Sequence, residues 1–112
     1  MIENKSIKNS DLKSAVHDFW QENSCGEIYA KGIEYQEQLE SQSRERYILE
    51  PHIFELACFN EGKGRDVLEI GVGMGADHLE WANADPKSLS GIDITLRVIN
   101  FTRSRLELYG FI

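Results

Sequence analysis

Between residues 66 and 93 the chain reads strand, glycine loop, helix, strand, acid, and that order leaves few folds open. Asp66-Val67-Leu68-Glu69-Ile70 is short, β-branched and bounded by glycines, the mark of a buried strand. Gly71-Val72-Gly73-Met74-Gly75 follows as a loop, then Ala76 to Ala84 as a short helix with Leu79 and Trp81 inward, broken by Asp85-Pro86. Leu89-Ser90-Gly91-Ile92-Asp93 is a second strand. Two strands joined by a helix pair in parallel, and the crossover sets the first loop beside the C-terminal end of the second strand. The fold class is therefore α/β.

The rest of the chain is helical. Thr95 is a good N-cap for a helix reaching about Tyr109, with Gly110 as the glycine just past its end. Phe111-Ile112 reads as the opening of a third strand. Upstream, Leu12, Ala15, Val16, Phe19 and Trp20 make the apolar stripe of an amphipathic helix over Asn9 to Asn23, ended by Asn23-Ser24-Cys25-Gly26. A more polar helix is expected from about Ile33 to Arg46, with Ile33, Leu39 and Tyr47 as anchors. Pro51 suits the first turn of a third, His52 to Phe59. Six of the nine glycines fall between Gly62 and Gly91, which divides the chain into a helical lead-in or cap, 1–61, and the start of an α/β domain, 62–112.

Composition narrows the function. A chain of 112 residues is enough for one small domain, and 41% hydrophobic residues exclude a disordered tail. A mean hydropathy of −0.41 without a long apolar run argues against a membrane partner. Nineteen acids against twelve Lys and Arg give a net charge of −7, which repels phosphate backbones and argues against nucleic acid. Arg97, Arg103 and Arg105 are spread along one helix and offset by Glu107. No secretory h-region opens the sequence. Cys25 and Cys58 are isolated thiols, as in a reduced cytoplasmic protein, and Cys58 sits in an apolar run as a core residue. No ligand spacing supports a metal site, and no feature specifies a protein partner.

Glycines at 71, 73 and 75 let the backbone turn sharply and let a ligand approach with no Cβ in the way. Read blandly, they make only a tight strand-to-helix turn. The N–H groups of such a loop and of the helix after it favour a carboxylate or phosphate. Asp93, acceptor-only, is placed for the vicinal hydroxyls of a ribose. Together they point to a nucleoside-containing cofactor. Gly71 to Ala76 also satisfies the dinucleotide pattern GxGxxA, the pattern of an NAD(P)-dependent oxidoreductase. Glu69 weighs the other way, because its carboxylate would oppose a pyrophosphate in the loop. S-adenosylmethionine has no phosphate and brings an ammonium and a sulfonium, so electrostatics prefers it.

Val67-Leu68-Glu69-Ile70-Gly71-Val72-Gly73-Met74-Gly75 resembles the first motif of class I S-adenosylmethionine-dependent methyltransferases, and Gly91-Ile92-Asp93-Ile94-Thr95 resembles their second-strand motif. The resemblance covers about Arg65 to Ile112. Trp20, Cys25-Gly26 and Arg46-Tyr47 are similar, less specifically, to the N-terminal region of some bacterial small-molecule methyltransferases. It implies a Rossmann-like class I methyltransferase fold, incomplete here: a helical lead-in plus the first βαβα of a seven-stranded sheet. It also implies methyl transfer to a small-molecule acceptor. Carried over, Glu69 orients the loop or the cofactor ammonium, Gly71, Gly73 and Gly75 line the methionyl part, Asp93 binds the ribose and Ile94 packs near the adenine. The chain then reads as the N-terminal part of a longer enzyme or a truncated gene product, binding cofactor weakly and inactive alone. Trp20, Tyr29, Tyr35 and Tyr47 would line the acceptor pocket. His17, His52 and His78 are base candidates by type only, so the catalytic residues are unknown. A non-catalytic nucleotide-binding or interaction module is the remaining alternative.

Overall fold

Strand β1, Asp66–Ile70, and strand β2, Ser88–Ile92, pair in parallel, with Asp66 opposite Ser88 and Ile70 opposite Ile92. The computed structural model describes residues 9–22, 27, 30–32 and 34–112. Ahead of β1 come α1 (Asn9–Glu22), α2 (Tyr35–Leu49), α3 (His52–Ala57) and a 3-10 turn, Phe59–Gly62. Helix α4, Ala76–Asn83, joins the strands, and α5, Leu96–Leu108, follows β2. The described residues thus form a mixed α/β unit of five α-helices and one two-stranded parallel sheet.

One face of that sheet is covered and the other is bare. Val67, Glu69, Leu89 and Gly91 lie on the partly buried side, towards α4. The alternate residues Leu68, Ile70 and Ile92 are 59%, 76% and 51% exposed. The expected buried strand is therefore covered on one side only, the side on which α4 packs. The core gathers around the glycine loop and α4, in Leu39, Phe59, Val72, Met74, Leu79, Ala82 and Val98.

The ends of α5 follow local rules. The Thr95 hydroxyl accepts the Val98 N–H at 3.5 Å. At the other end Gly110 takes φ +82°, Phe111 N–H reaches the Leu106 carbonyl at 2.9 Å, and Gly110 N–H reaches Glu107 at 3.1 Å. This is a Schellman closure. It corrects the reading of Phe111-Ile112 as a strand, since the Phe111 N–H is already used to close the helix and both side chains stay exposed.

The lead-in needs three further corrections. The apolar stripe of α1 is present, but no residue of this helix is buried, and α1 touches chiefly α5. Helix α2 runs on to Leu49 and buries Leu39, Ser41 and Gln42. Helix α3 stops at Ala57, because Cys58 adopts a left-handed φ of +51°. That turn carries Cys58 to the surface, where its thiol meets the Glu55 carbonyl at 3.2 Å, and sends Phe59 inward instead. Cys25, Tyr29 and Ile33 lie outside the described residues.

Two joints fasten the lead-in to the α/β part. Ring contacts run from Tyr47 through Phe54 and Phe59 to Trp81, with centroids 4.5, 5.6 and 4.8 Å apart. Arg105 of α5, 1% exposed, donates from Nη2 to the Leu39 carbonyl and to Gln42 Oε1 of α2, at 3.1 and 2.9 Å. Its Nε and Nη1 find no partner among the described residues, and burial pulls its pKa down.

Candidate functional site

The chain leaving β1 turns through three left-handed glycines, Gly71 (φ +80°), Gly73 (+53°) and Gly75 (+83°). They serve different ends. A Cβ on Gly71 or Gly73 would meet nothing within 4 Å, so both border open space. A Cβ on Gly75 would lie 2.7 Å from Thr102 Oγ1 and 3.0 Å from Thr102 Cα, so this glycine lets α5 close on the loop. Gly91 on β2 is similar: a Cβ there would overlap Val72 Cγ1 at 2.6 Å and the His78 ring at 2.8 Å.

The loop amides are engaged within the protein. Gly71 and Val72 donate to the Ile92 carbonyl at 2.8 and 3.4 Å, and Gly75 donates to Val72 at 2.9 Å. Gly73 N–H donates to Asp93 Oδ2 at 3.1 Å, and Gly73 C=O accepts from Thr102 Oγ1 at 3.2 Å. The expectation of free loop donors waiting for an anion is therefore corrected at these four residues. The hydrogen bonds that shape the turn use them.

Asp93 stands beyond the end of β2 and does more than sequence suggests. Besides Gly73, it accepts the Thr95 N–H on Oδ1 at 3.3 Å. Each oxygen carries two lone pairs, so each keeps acceptor capacity for a hydroxyl. Its carboxylate opens onto a cleft of about 400 Å³, floored by Gly71 and Gly73 and walled by Ile70, Ile92 and Ile94. Trp20 reaches this cleft from α1.

Across the same two glycines lies a smaller cavity of about 100 Å³, bounded by α2 and the start of α4. Glu69, Arg46 and Asp77 border it. Glu69 Oε2 lies 2.7 Å from His78 Nδ1, and the ring nitrogen must donate because a carboxylate only accepts. Arg46 grips Asp77 side-on, Nε to Oδ1 at 3.1 Å and Nη2 to Oδ2 at 2.8 Å, while Nη1 reaches Glu50 at 3.2 Å. The Tyr47 hydroxyl donates to Asp77 Oδ1 at 2.8 Å. The Asp77 hydrogen bond raises the Arg46 pKa, and burial, followed by the charge of Asp77, raises that of Tyr47. Burial likewise raises Glu80 nearby.

Glu69, Gly71, Gly73, Gly75, Asp93 and Ile94 thus meet at the C-terminal ends of the strands. Of the aromatic residues expected around an acceptor, Trp20 is at the cleft. Tyr35 lies in a separate groove with Arg97 and Phe101, and Tyr47 faces Asp77. His17 sits beside Asp18 on α1 and His52 is exposed on α3, while His78 is buried under the sheet. None of the three lines the larger cleft. Sequence reasoning missed the Arg46–Asp77 pair, whose partners lie 31 positions apart. The one local hint was an acid in the first turn of a helix, which is common. Among the described residues no group of three or more His, Cys, Asp or Glu could hold a metal ion. No helix among them is long and apolar enough to cross a membrane. Set against models of protein families, curated proteins and solved structures, the chain finds no match.

Proposed function

We propose that this chain holds the cofactor-binding part of an S-adenosylmethionine-dependent methyltransferase with a Rossmann-like fold, acting on a small molecule. The observation that carries the reading is the loop itself. Open space lies beside Gly71 and Gly73, four loop amides are already engaged, and two carboxylates, Glu69 and Asp93, flank the turn. A diphosphate would meet few donors and two negative charges there. A phosphate-free, cationic ligand suits the same surroundings.

The residues present fit such a cofactor. Asp93 keeps lone pairs for ribose hydroxyls, and Ile92 and Ile94 offer apolar surface to an adenine. Glu69, with Oε1 beyond its bond to His78, offers an acceptor to an ammonium. When bound, the cofactor supplies a methyl group on a positively charged sulfur, already activated for transfer. The protein's share would be alignment of donor and acceptor and exclusion of water, and Trp20, which lines the cleft, would help with both. The net charge of −7 favours a small organic acceptor over a nucleic acid.

Equilibrium dialysis with labelled S-adenosylmethionine tests the reading. The chain should retain label, and Asp93→Ala should release it. Fluorescence enhancement of NADH, with no retention of S-adenosylmethionine, would replace this proposal with an oxidoreductase.

A further inference from the structure

His78 brings α4 into contact with both strands beneath the glycine loop. Its ring is 4% exposed. Strand β1 supplies Glu69, whose Oε2 lies 2.7 Å from Nδ1. Strand β2 supplies Gly91, the register partner of Glu69. A Cβ at 91 would lie 2.8 Å from the ring, so the absence of a side chain there is what admits the histidine to the carboxylate. Three elements thus converge on one buried titratable pair.

The pair can exchange a proton. A carboxylate only accepts, so Nδ1 keeps its hydrogen, and Nε2 is the ring nitrogen that gains or loses one. Histidine is the side chain suited to such exchange near neutral pH. The ring also borders a cavity of about 350 Å³ whose wall includes the exposed Asp85 and Lys87, a way to solvent that avoids the loop. Few other charges face the pair. Asp85 and Lys87 carry opposite signs across that cavity, and β2 and α5 add no charged residue to its wall. Beyond Glu69, Arg46 and Asp77 are bonded to each other, and on α4 itself only Asp77 and Glu80 flank the residues next to the ring.

We infer that His78 is a positioning residue: its ring fixes Glu69 and, by gaining or losing a proton, sets whether the pair offers a cationic ligand a negative charge or none. With the ring neutral, the pair keeps the charge of the carboxylate. A proton taken up by the pair, whichever partner holds it, cancels that charge. Both side chains are withdrawn from water, at 5% and 14% exposure, so the difference reaches a ligand with little screening. A cation therefore binds the deprotonated pair and expels its proton, whereas an uncharged ligand is indifferent to it. The inference rests on the proposed function and adds a proton link to it.

The test is calorimetric titration of the full chain with S-adenosylmethionine and with uncharged 5′-methylthioadenosine. It runs between about pH 5 and pH 7, in buffers of different ionisation enthalpy. In the wild type, S-adenosylmethionine should release protons at the acidic end and bind roughly tenfold tighter at the neutral end. 5′-Methylthioadenosine should release none and keep one affinity throughout. His78→Gln, whose amide can still donate to Glu69, should keep the neutral-pH affinity for S-adenosylmethionine and lose both the proton release and the pH slope. His78→Phe, which has no donor, should weaken S-adenosylmethionine at every pH and spare 5′-methylthioadenosine. Binding of S-adenosylmethionine by the wild type without proton release overturns the inference with no substitution needed. A release that persists in His78→Gln also overturns it, and so does a parallel loss of both ligands in both variants, which would show a role in packing alone. If the wild type binds neither ligand, or only 5′-methylthioadenosine, the proposed function itself falls, and the proton link with it.

Discussion

The two cavities that meet at Gly71 and Gly73 are built from opposite materials. On one side three isoleucines and a single acid, Asp93, face about 400 Å³ of space. On the other, about 100 Å³ is bounded by Arg46, Asp77 and Glu69, tied to Tyr47, Glu50 and His78 by hydrogen bonds. The first can recognise a ligand by shape and area, the second by charge. The contrast teaches that the glycine loop here divides an apolar cleft from a charged cavity, with four of its five amides already bonded within the protein.

The sharpest way to break the comparison is through the one acid of the apolar side. Asp93→Ala removes the acceptor proposed for a ribose and the partner of the Gly73 N–H together. Charge-assisted hydrogen bonds of this kind are worth about 2–3 kcal/mol. Calorimetric affinity for any adenosine ligand, 5′-methylthioadenosine included, should fall about 30- to 100-fold. An unchanged affinity would mean that the cleft is not the adenosine site.

Beneath the charged side, Gly91→Ala should lower stability with little direct effect on a ligand. Its Cβ would press on Val72 and on the His78 ring that holds Glu69, and overpacking of this kind costs about 1–3 kcal/mol. The thermal midpoint should drop, and in a His78→Ala background the additional loss should shrink. Purely additive losses would show that the clash is relieved elsewhere.

The smallest effect concerns pH. Burial, then the Asp77 charge, raises the Tyr47 pKa, so folding favours the protonated phenol. A folded value above the unfolded one gives stability that is complete below about pH 10 and is lost as pH rises further. Urea midpoints should therefore decline on the alkaline side, and Tyr47→Phe should decline less steeply. Identical slopes would remove Tyr47 from the linkage.

What was legible in the sequence was short-range. The range of β1, the limits of α4 and α5, the Thr95 cap and the Gly110 ending all depend on neighbours within a turn or two, and they match within a residue or so. The site residues Glu69, Gly71, Gly73, Asp93 and Ile94 converge for the same reason, since one βαβ crossover is enough to bring them together. Illegible were the features that depend on distant partners. The stripe of α1 is amphipathic, yet periodicity cannot say whether a surface exists to cover it. Cys58 looked apolar in context, and one left-handed residue moved it outward. Gly75 and Gly91 were read for the turn and the strand motif, whereas Thr102 and His78 supply their steric reason.

One residue of the loop has a consequence for how quickly anything can enter. Gly73 is pinned through its amide by Asp93 and through its carbonyl by Thr102, so the rim shared by the two cavities is braced from a strand end and from a helix. A molecule spanning both cavities would have to match the spacing of a rim held at both its amide and its carbonyl. Thr102→Val would cut one brace. Arrival of a well-matched molecule would then slow, and discrimination by length would blur.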